Sequence, residues 1–285
     1  MNVISKTFQP GSIAIVTGGG NGLGRQLCLQ LAKLGIQVQV ADIDNEGAMQ
    51  TVSFITENGG KAQAHIFDVS NPKACETCVE EIVNTYGKID LLISNAGKVA
   101  IGEFNDVPLE SWHNIMDTNF FGQLNIINAV YTHMRQNQKG RIVIMSSVAG
   151  LVFQPLTGSY NASKHALVGL ACSLFSDAAP HGIKVHLVCP GYIDNTNIFV
   201  NAESFRYSSL KIRDILVNKI RGFISPEKAT RKILHQIHKN KFFIVFPFNA
   251  RLLWLLFRLM PETTVRFSYM LKDKMLSAKM NQTLK

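Results

Sequence analysis

Short apolar runs alternate with helix-period segments along most of this chain. Ser12-Ile-Ala-Ile-Val-Thr17 is apolar and β-branched and closes on Gly18, which predicts a buried strand. Leu23, Leu27, Leu31 and Leu34 then recur at helical spacing, with Gly35 as the stop. Val38-Gln-Val-Ala41 predicts the next strand, ending at Asp42. The alternation continues with a helix over 45–58, a strand over 62–67, a helix over 72–86 and a strand over 89–94. A longer helix over 109–135 follows, then strand 141–146, helix 158–179 and strand 183–189. Helix 226–239 and strand 241–246 complete the set. Alternation at this spacing indicates parallel βαβ units. The expected fold is therefore α/β: a doubly wound parallel sheet of about seven strands, helices on both faces. A ligand site in such a sheet lies beyond the carboxyl ends of its strands. Residues 1–247 read as one domain, and 248–285 as a helical C-terminal extension without a core of its own.

Composition adds a core and a compartment. Of the 285 residues 46% are hydrophobic and 17% charged, enough apolar side chains for one large domain and too many for wholesale disorder. The five cysteines are odd in number and scattered, and the first residues lack the apolar run of a secretory segment. Reduced thiols in a cytoplasmic protein are expected. Cys75-x-x-Cys78 has metal-like spacing but lies within a predicted helix with no second Cys/His pair, so two packed thiols are expected and no metal.

Charge changes the picture at one end. The net charge is +9, and residues 239–285 hold nine Lys/Arg against Glu262 and Asp273. Placing 250–260 on a helix at ~100° per residue brings Arg251 and Arg258 within roughly 20° of each other. Leu252, Leu253, Leu256, Phe257, Leu259 and Met260 fill a broad opposite arc. Such a segment suits a membrane surface in the plane of the headgroups, a cap on the substrate cleft or a subunit contact. Nucleic acid is disfavoured, because the basic residues are interleaved with large aliphatics.

The candidate chemistry sits at the strand ends. Thr17-Gly-Gly-Gly-Asn-Gly-Leu-Gly24 links the first strand to the first helix. Glycines there let a diphosphate approach free N–H groups at a helix N-terminus, with Gly18, Asn21, Gly22, Leu23 and Gly24 as the cradle. An unliganded glycine-rich turn is the plain alternative. Asp42 would accept hydrogen bonds from adenosine ribose hydroxyls and repel a 2′-phosphate, which favours NAD over NADP; Asp44 competes for that role. Asp68, Val69, Asn95, Ala96 and Gly97 end the third and fourth strands and could line the adenine side. Tyr160 and Lys164 share a helix face one turn apart, where an ammonium would lower the phenol pKa. A Tyr-x-x-x-Lys pair arises by composition alone about 0.4 times in such a chain. Tyr207 and Lys211 form a second copy. Only the first copy has a serine thirteen residues upstream, Ser147; Ser146 is its neighbour and rival.

The series T-G-x-x-x-G-x-G at 17–24, Asn95-Ala-Gly97, Asn119, Ser147, Tyr160-x-x-x-Lys164 and Pro190-Gly191 resembles the short-chain dehydrogenase/reductase family over about residues 11–247. The resemblance implies a Rossmann-like dinucleotide-binding and catalytic domain that transfers hydride between NAD and an alcohol or ketone. By that resemblance Tyr160 is the general acid/base, Lys164 lowers its pKa, Ser147 holds the substrate oxygen, and Asn119 keeps a water beneath Lys164. Gly191, Ile193 and Asn195 would flank the nicotinamide, Asn195 standing where the family usually has threonine. Ser94 likewise replaces a usual asparagine. A homodimer or homotetramer is implied. Phe153, Pro155, Leu156, Tyr192 and apolar residues of 195–224 (Ile198, Phe199, Val200, Phe205, Tyr207, Leu210, Ile212) predict a greasy pocket for a steroid, retinoid or fatty-chain alcohol or ketone. An NADPH-dependent carbonyl reductase and a catalytically idle NAD-binding protein are the alternatives.

Overall fold

The computed structural model describes residues 8–194, 198, 201–206 and 224–276. Its strands are β1 (Ile13–Thr17), β2 (Gln37–Asp42), β3 (Ala62–Ile66), β4 (Leu91–Ser94), β5 (Ala100–Ile101), β6 (Gly140–Met145), β7 (Ile183–Pro190), β8 (Glu203–Ser204) and β9 (Phe243–Phe246). Seven of them form one sheet in the order β3-β2-β1-β4-β6-β7-β9, and every pairing is parallel. The chain reverses direction across the sheet between β1 and β4, which opens a crevice at their carboxyl ends.

Helices cover both faces. On one side lie α1 (Gly22–Ala32), α2 (Asn45–Glu57) and α7 (Pro226–His238), packed on Ala14, Val16, Val38 and Val40. On the other lie α3 (Pro72–Tyr86), α5 (Gly122–Gln136) and α6 (Gly158–Ala178), packed on Ile13, Ile15, Leu92 and Ile142. Successive residues of β1 thus feed opposite cores, which is why the strand is apolar throughout rather than alternating.

Each strand and helix expected from the pattern is present, with ends shifted by one or two residues. One helix differs in kind. The segment expected as a single helix over 109–135 is α4 (Leu109–Met116), a π-helical turn at Asp117–Phe121, and then α5. The wider turn carries an extra residue and brings both Thr118 and Asn119 inside. Gly122 follows it because a Cβ there would stand 2.6 Å from Val69 Cγ2. One feature has no counterpart in the sequence pattern: β5 pairs with β8 across a hundred residues, two residues to each strand. The extension, read as helical, folds into α8 (Phe248–Leu259) and α9 (Pro261–Leu276).

Candidate active site

The turn from β1 into α1 is built for close approach of a ligand. Gly18 has φ +64°, and a Cβ on it would meet Ala96 Cα at 3.0 Å. On Gly24 a Cβ would collide with the Gly18 carbonyl oxygen, so no other residue fits. Asn21 N-caps α1 without a side-chain hydrogen bond to the helix, so the first-turn N–H groups are capped by no side chain. Arg25 fixes the loop from behind, donating from Nε to the Gly20 carbonyl at 2.8 Å and to Thr51 Oγ1 at 3.0 Å. Thr17 Oγ1 accepts from the N–H groups of Asn95 (2.9 Å) and Ala96 (3.1 Å), joining the ends of β1 and β4. A diphosphate fits this cradle.

Asp42 ends β2 beside it. One carboxylate oxygen accepts from Gly20 N–H at 2.8 Å and the other from Asp44 N–H at 3.0 Å. Each oxygen keeps a lone pair for a further donor. Asp42, Ile43, Asp44 and Asp68 line one end of a cleft of about 530 Å³ that runs to Tyr160 and Lys164 at the other.

At that far end Ser147 caps a short 3-10 turn, its Oγ accepting from Ala149 N–H at 3.1 Å, while its side chain also hydrogen-bonds Tyr160. Ser146 points elsewhere, donating to the Lys164 carbonyl at 2.8 Å. Ser147 is the serine that meets the tyrosine. Lys164 is buried, donates to the Met145 carbonyl at 3.0 Å and holds its Nζ 5.6 Å from the Tyr160 ring centre. The pKa expectation for this pair needs correction. Burial pushes the Tyr160 phenol up to about 12, the Ser147 hydrogen bond offsetting only part of that. Burial also drives Lys164 down to about 8. The group brought towards neutrality is the lysine.

Asn119 is fully committed. It accepts from Lys98 N–H at 2.7 Å, donates to the Lys98 carbonyl at 2.9 Å, and donates to Ser163 Oγ at 3.0 Å. Its side chain therefore pins the loop after β4 to α6, behind the cleft rather than on its wall. Gly97 lies directly over this junction, where a Cβ would stand 3.1 Å from Asn119 Oδ1 and 3.5 Å from Lys164 Nζ.

A family model for the short chain dehydrogenases matches residues 12–206, more than half of the chain. The chain belongs to that family. It is 30% identical to dehydrogenase/reductase SDR family member 7B of Xenopus tropicalis over 243 residues, covering 83% of this chain and 77% of that protein. Epidermal retinol dehydrogenase 2 of Mus musculus is 31% identical over 86% of this chain and 78% of its own. A solved short chain dehydrogenase/reductase of Burkholderia phymatum, in complex with NAD, superposes with TM-score 0.76 at 28% identity, over 83% of this chain and 89% of that one. Membership makes the protein an oxidoreductase on an NAD(P)-binding fold.

Within this short-chain dehydrogenase cleft the structure gathers Gly18, Asn21, Gly22, Leu23, Gly24, Asp42, Asp68, Val69, Asn95, Ala96 and Gly97 with Ser147, Tyr160, Lys164, Pro190, Gly191 and Ile193. Asn195 and Thr196 lie outside the described residues, as do Phe199, Val200, Leu210, Ile212 and the second pair Tyr207 and Lys211. Tyr192 and Ile198 are cleft walls as expected, but Phe153, Pro155, Leu156 and Phe205 are not. Phe153 turns outward onto Phe257 of α8, ring centres 5.8 Å apart, and Gln154 takes the cleft position, donating to Tyr192 Oη at 2.9 Å. Glu203 and Asn201 also reach the cleft. No motif marks them, since only the pairing of β8 with β5 carries them there. Cys75 and Cys78 are buried in α3 and their thiols are pushed up to about 12 by burial, so they pack rather than react.

Proposed function

We propose that the protein transfers hydride between NAD and a lipophilic secondary alcohol or ketone of steroid, retinoid or fatty-chain type. The observation that carries the reaction is one cleft with a phosphate cradle and Asp42 at one end and Ser147, Tyr160 and Lys164 at the other. NAD, held along Gly18–Gly24 and the end of β4, would supply the hydride acceptor or donor. Ser147 hydrogen-bonds the substrate oxygen. Tyr160 gives that oxygen a proton on reduction and takes one on oxidation. Lys164, dry and near its titration point, anchors the ribose beside the phenol. Asn119 acts as a positioning residue for the loop that carries Gly97. The choice of NAD over NADP is supported by Asp42 and Asp44, two carboxylates where a 2′-phosphate would lie.

The lipophilic substrate is supported by Val99, Val148, Tyr192 and Ile198 along the cleft, and by similarity to epidermal retinol dehydrogenase 2. Gln154 and Glu203 would grip one polar group of it. A homodimer or homotetramer belongs to the same reading, and a measured molar mass tests it. A screen of lipophilic alcohols and ketones, following reduced-nicotinamide absorbance with each cofactor, tests the rest. Turnover with NAD(H), lost by roughly 10²-fold or more in Tyr160→Phe, is expected. Turnover confined to small polar sugars would remove the substrate assignment, and tighter binding of NADPH would reverse the cofactor.

A further inference from the structure

Helix α8 wears its hydrophobic side outward. Counted at ~100° per residue, Phe248, Leu252, Leu255, Leu256 and Leu259 fall within an arc of about 100°. All five are exposed, Phe248 by 75% and Leu259 by 70%. The inward arc is carried by Ala250, Trp254 and Phe257, which pack on the domain. A surface helix in water shows the reverse arrangement. Exposed Met260, Val265 and Phe267 continue the patch onto α9.

Charge says what kind of surface this patch meets. Arg251 and Arg258 border one edge of the apolar arc, Arg258 lying 5.5 Å from the Trp254 ring centre, and exposed Arg266 follows on α9. Residues 239–285 hold nine basic and two acidic side chains. A second copy would bring the same positive face against itself. Among the described residues no helix is long and apolar enough to cross a membrane. An apolar arc with a basic border is the form of a helix lying in the plane of an anionic bilayer.

The patch is also fastened to the cleft. A Cβ on Gly191, a cleft residue, would meet Pro247 Cδ at 3.1 Å and Ala250 Cβ at 3.2 Å, so the start of α8 packs directly behind it. Phe257 grips Phe153, the neighbour of Gln154, and Lys272 of α9 reaches Glu103 at 3.8 Å.

We propose that α8 and the start of α9 seat the protein on an anionic lipid bilayer, with Phe248, Leu252, Leu255, Leu256 and Leu259 at headgroup depth and the arginines on lipid phosphates. Its link to substrate supply rests on the lipophilic reading above; the docking itself does not. The test is flotation of full-length protein with phosphatidylcholine vesicles, alone or mixed with phosphatidylglycerol. Flotation with the mixed vesicles, weakened by salt, is expected. Leu259→Glu and Phe248→Glu, at the two most exposed positions of the arc, should each reduce partitioning about tenfold or more while turnover of a water-soluble substrate stays unchanged. Absence of wild-type flotation, or equal flotation by Leu259→Glu with an unchanged circular dichroism spectrum, overturns the proposal. If wild type does not float and Leu259→Glu lowers its molar mass, the proposal is overturned in favour of a contact between copies. Activity on a soluble alcohol separates failure of docking from failure of the enzyme assignment.

Discussion

Tyr160 and Lys164 share a helix face, yet burial moves their protons in opposite directions. The phenol is held protonated, up to about 12, and the ammonium is loosened, to about 8. A protonated phenol is ready to donate, so at neutral pH the site is set for reducing a ketone. Oxidation needs the phenolate and must wait for alkali. Alcohol oxidation is therefore expected to climb from about pH 7 to about pH 10 without levelling, while ketone reduction holds level over the same span. Initial rates in both directions across that range check this; oxidation that declines with alkali in a still-folded enzyme would contradict it. The spacing of Ser147, Tyr160 and Lys164 is legible along the chain because a helix and a strand end fix their relative places. Their proton affinities are not, because desolvation depends on what Cys189, Met145 and Tyr192 build around them.

The π-helical turn at Asp117–Phe121 shows where reading by element stops. Its sequence continues the helical period without a proline, and only the packing of Gly122 on Val69 marks the break. The turn delivers Asn119 to both backbone groups of Lys98 and to Ser163, whose own hydroxyl donates to the Tyr160 carbonyl at 2.8 Å. One amide thus ties the loop after β4 to the helix that carries Tyr160. Asn119→Ala removes three hydrogen bonds and should cost about 1–3 kcal/mol of stability. Lys98 amide exchange should rise. The value of kcat should fall more than KM rises, because the change disturbs the places of Gly97 and Lys164 and leaves the substrate-binding groups intact. Urea melts, exchange and kinetics on one preparation check this; an unchanged Lys98 amide would show that the loop holds itself. Strands β1 and β4, by contrast, are readable because helices cover both faces and bury them throughout. The two-residue β5 and β8 leave no periodicity to read, and so Glu203 escapes the sequence. Phe153 reads as a pocket wall in the sequence because nothing there shows that α8 supplies a partner for its ring.

At the scale of the molecule, acid sensitivity sits at the end of the sheet remote from the cleft. Arg141 on β6 donates to His186 Nε2 at 2.8 Å, and His186 Nδ1 meets the Lys241 carbonyl, just before β9, at 2.7 Å. A guanidinium can only donate and a carbonyl only accept, so the imidazole must be neutral with its proton on Nδ1. Arg141 also reaches the Ile237 carbonyl at the end of α7, so the cluster binds β6, β7, β9 and α7 together. Burial lowers the His186 pKa to about 4, the hydrogen bond to Lys241 opposing and the Arg141 charge assisting. In the unfolded chain the same imidazole titrates near 6.5. Between those values the unfolded state binds a proton that the folded state refuses, so stability falls as pH drops. The loss begins near pH 6.5 and approaches about 3 kcal/mol by pH 4. His65, lowered by burial and paired with Gln39 Oε1 at 2.8 Å, adds a loss of the same sign. Urea melts from about pH 7.5 to about pH 4.5 should show this slope. His186→Gln keeps a donor and an acceptor at that place but cannot titrate, so its slope should be shallower by up to one proton. If the slopes match, the acid sensitivity belongs to the carboxylates instead, and the Arg141–His186 cluster holds the sheet together without sensing pH.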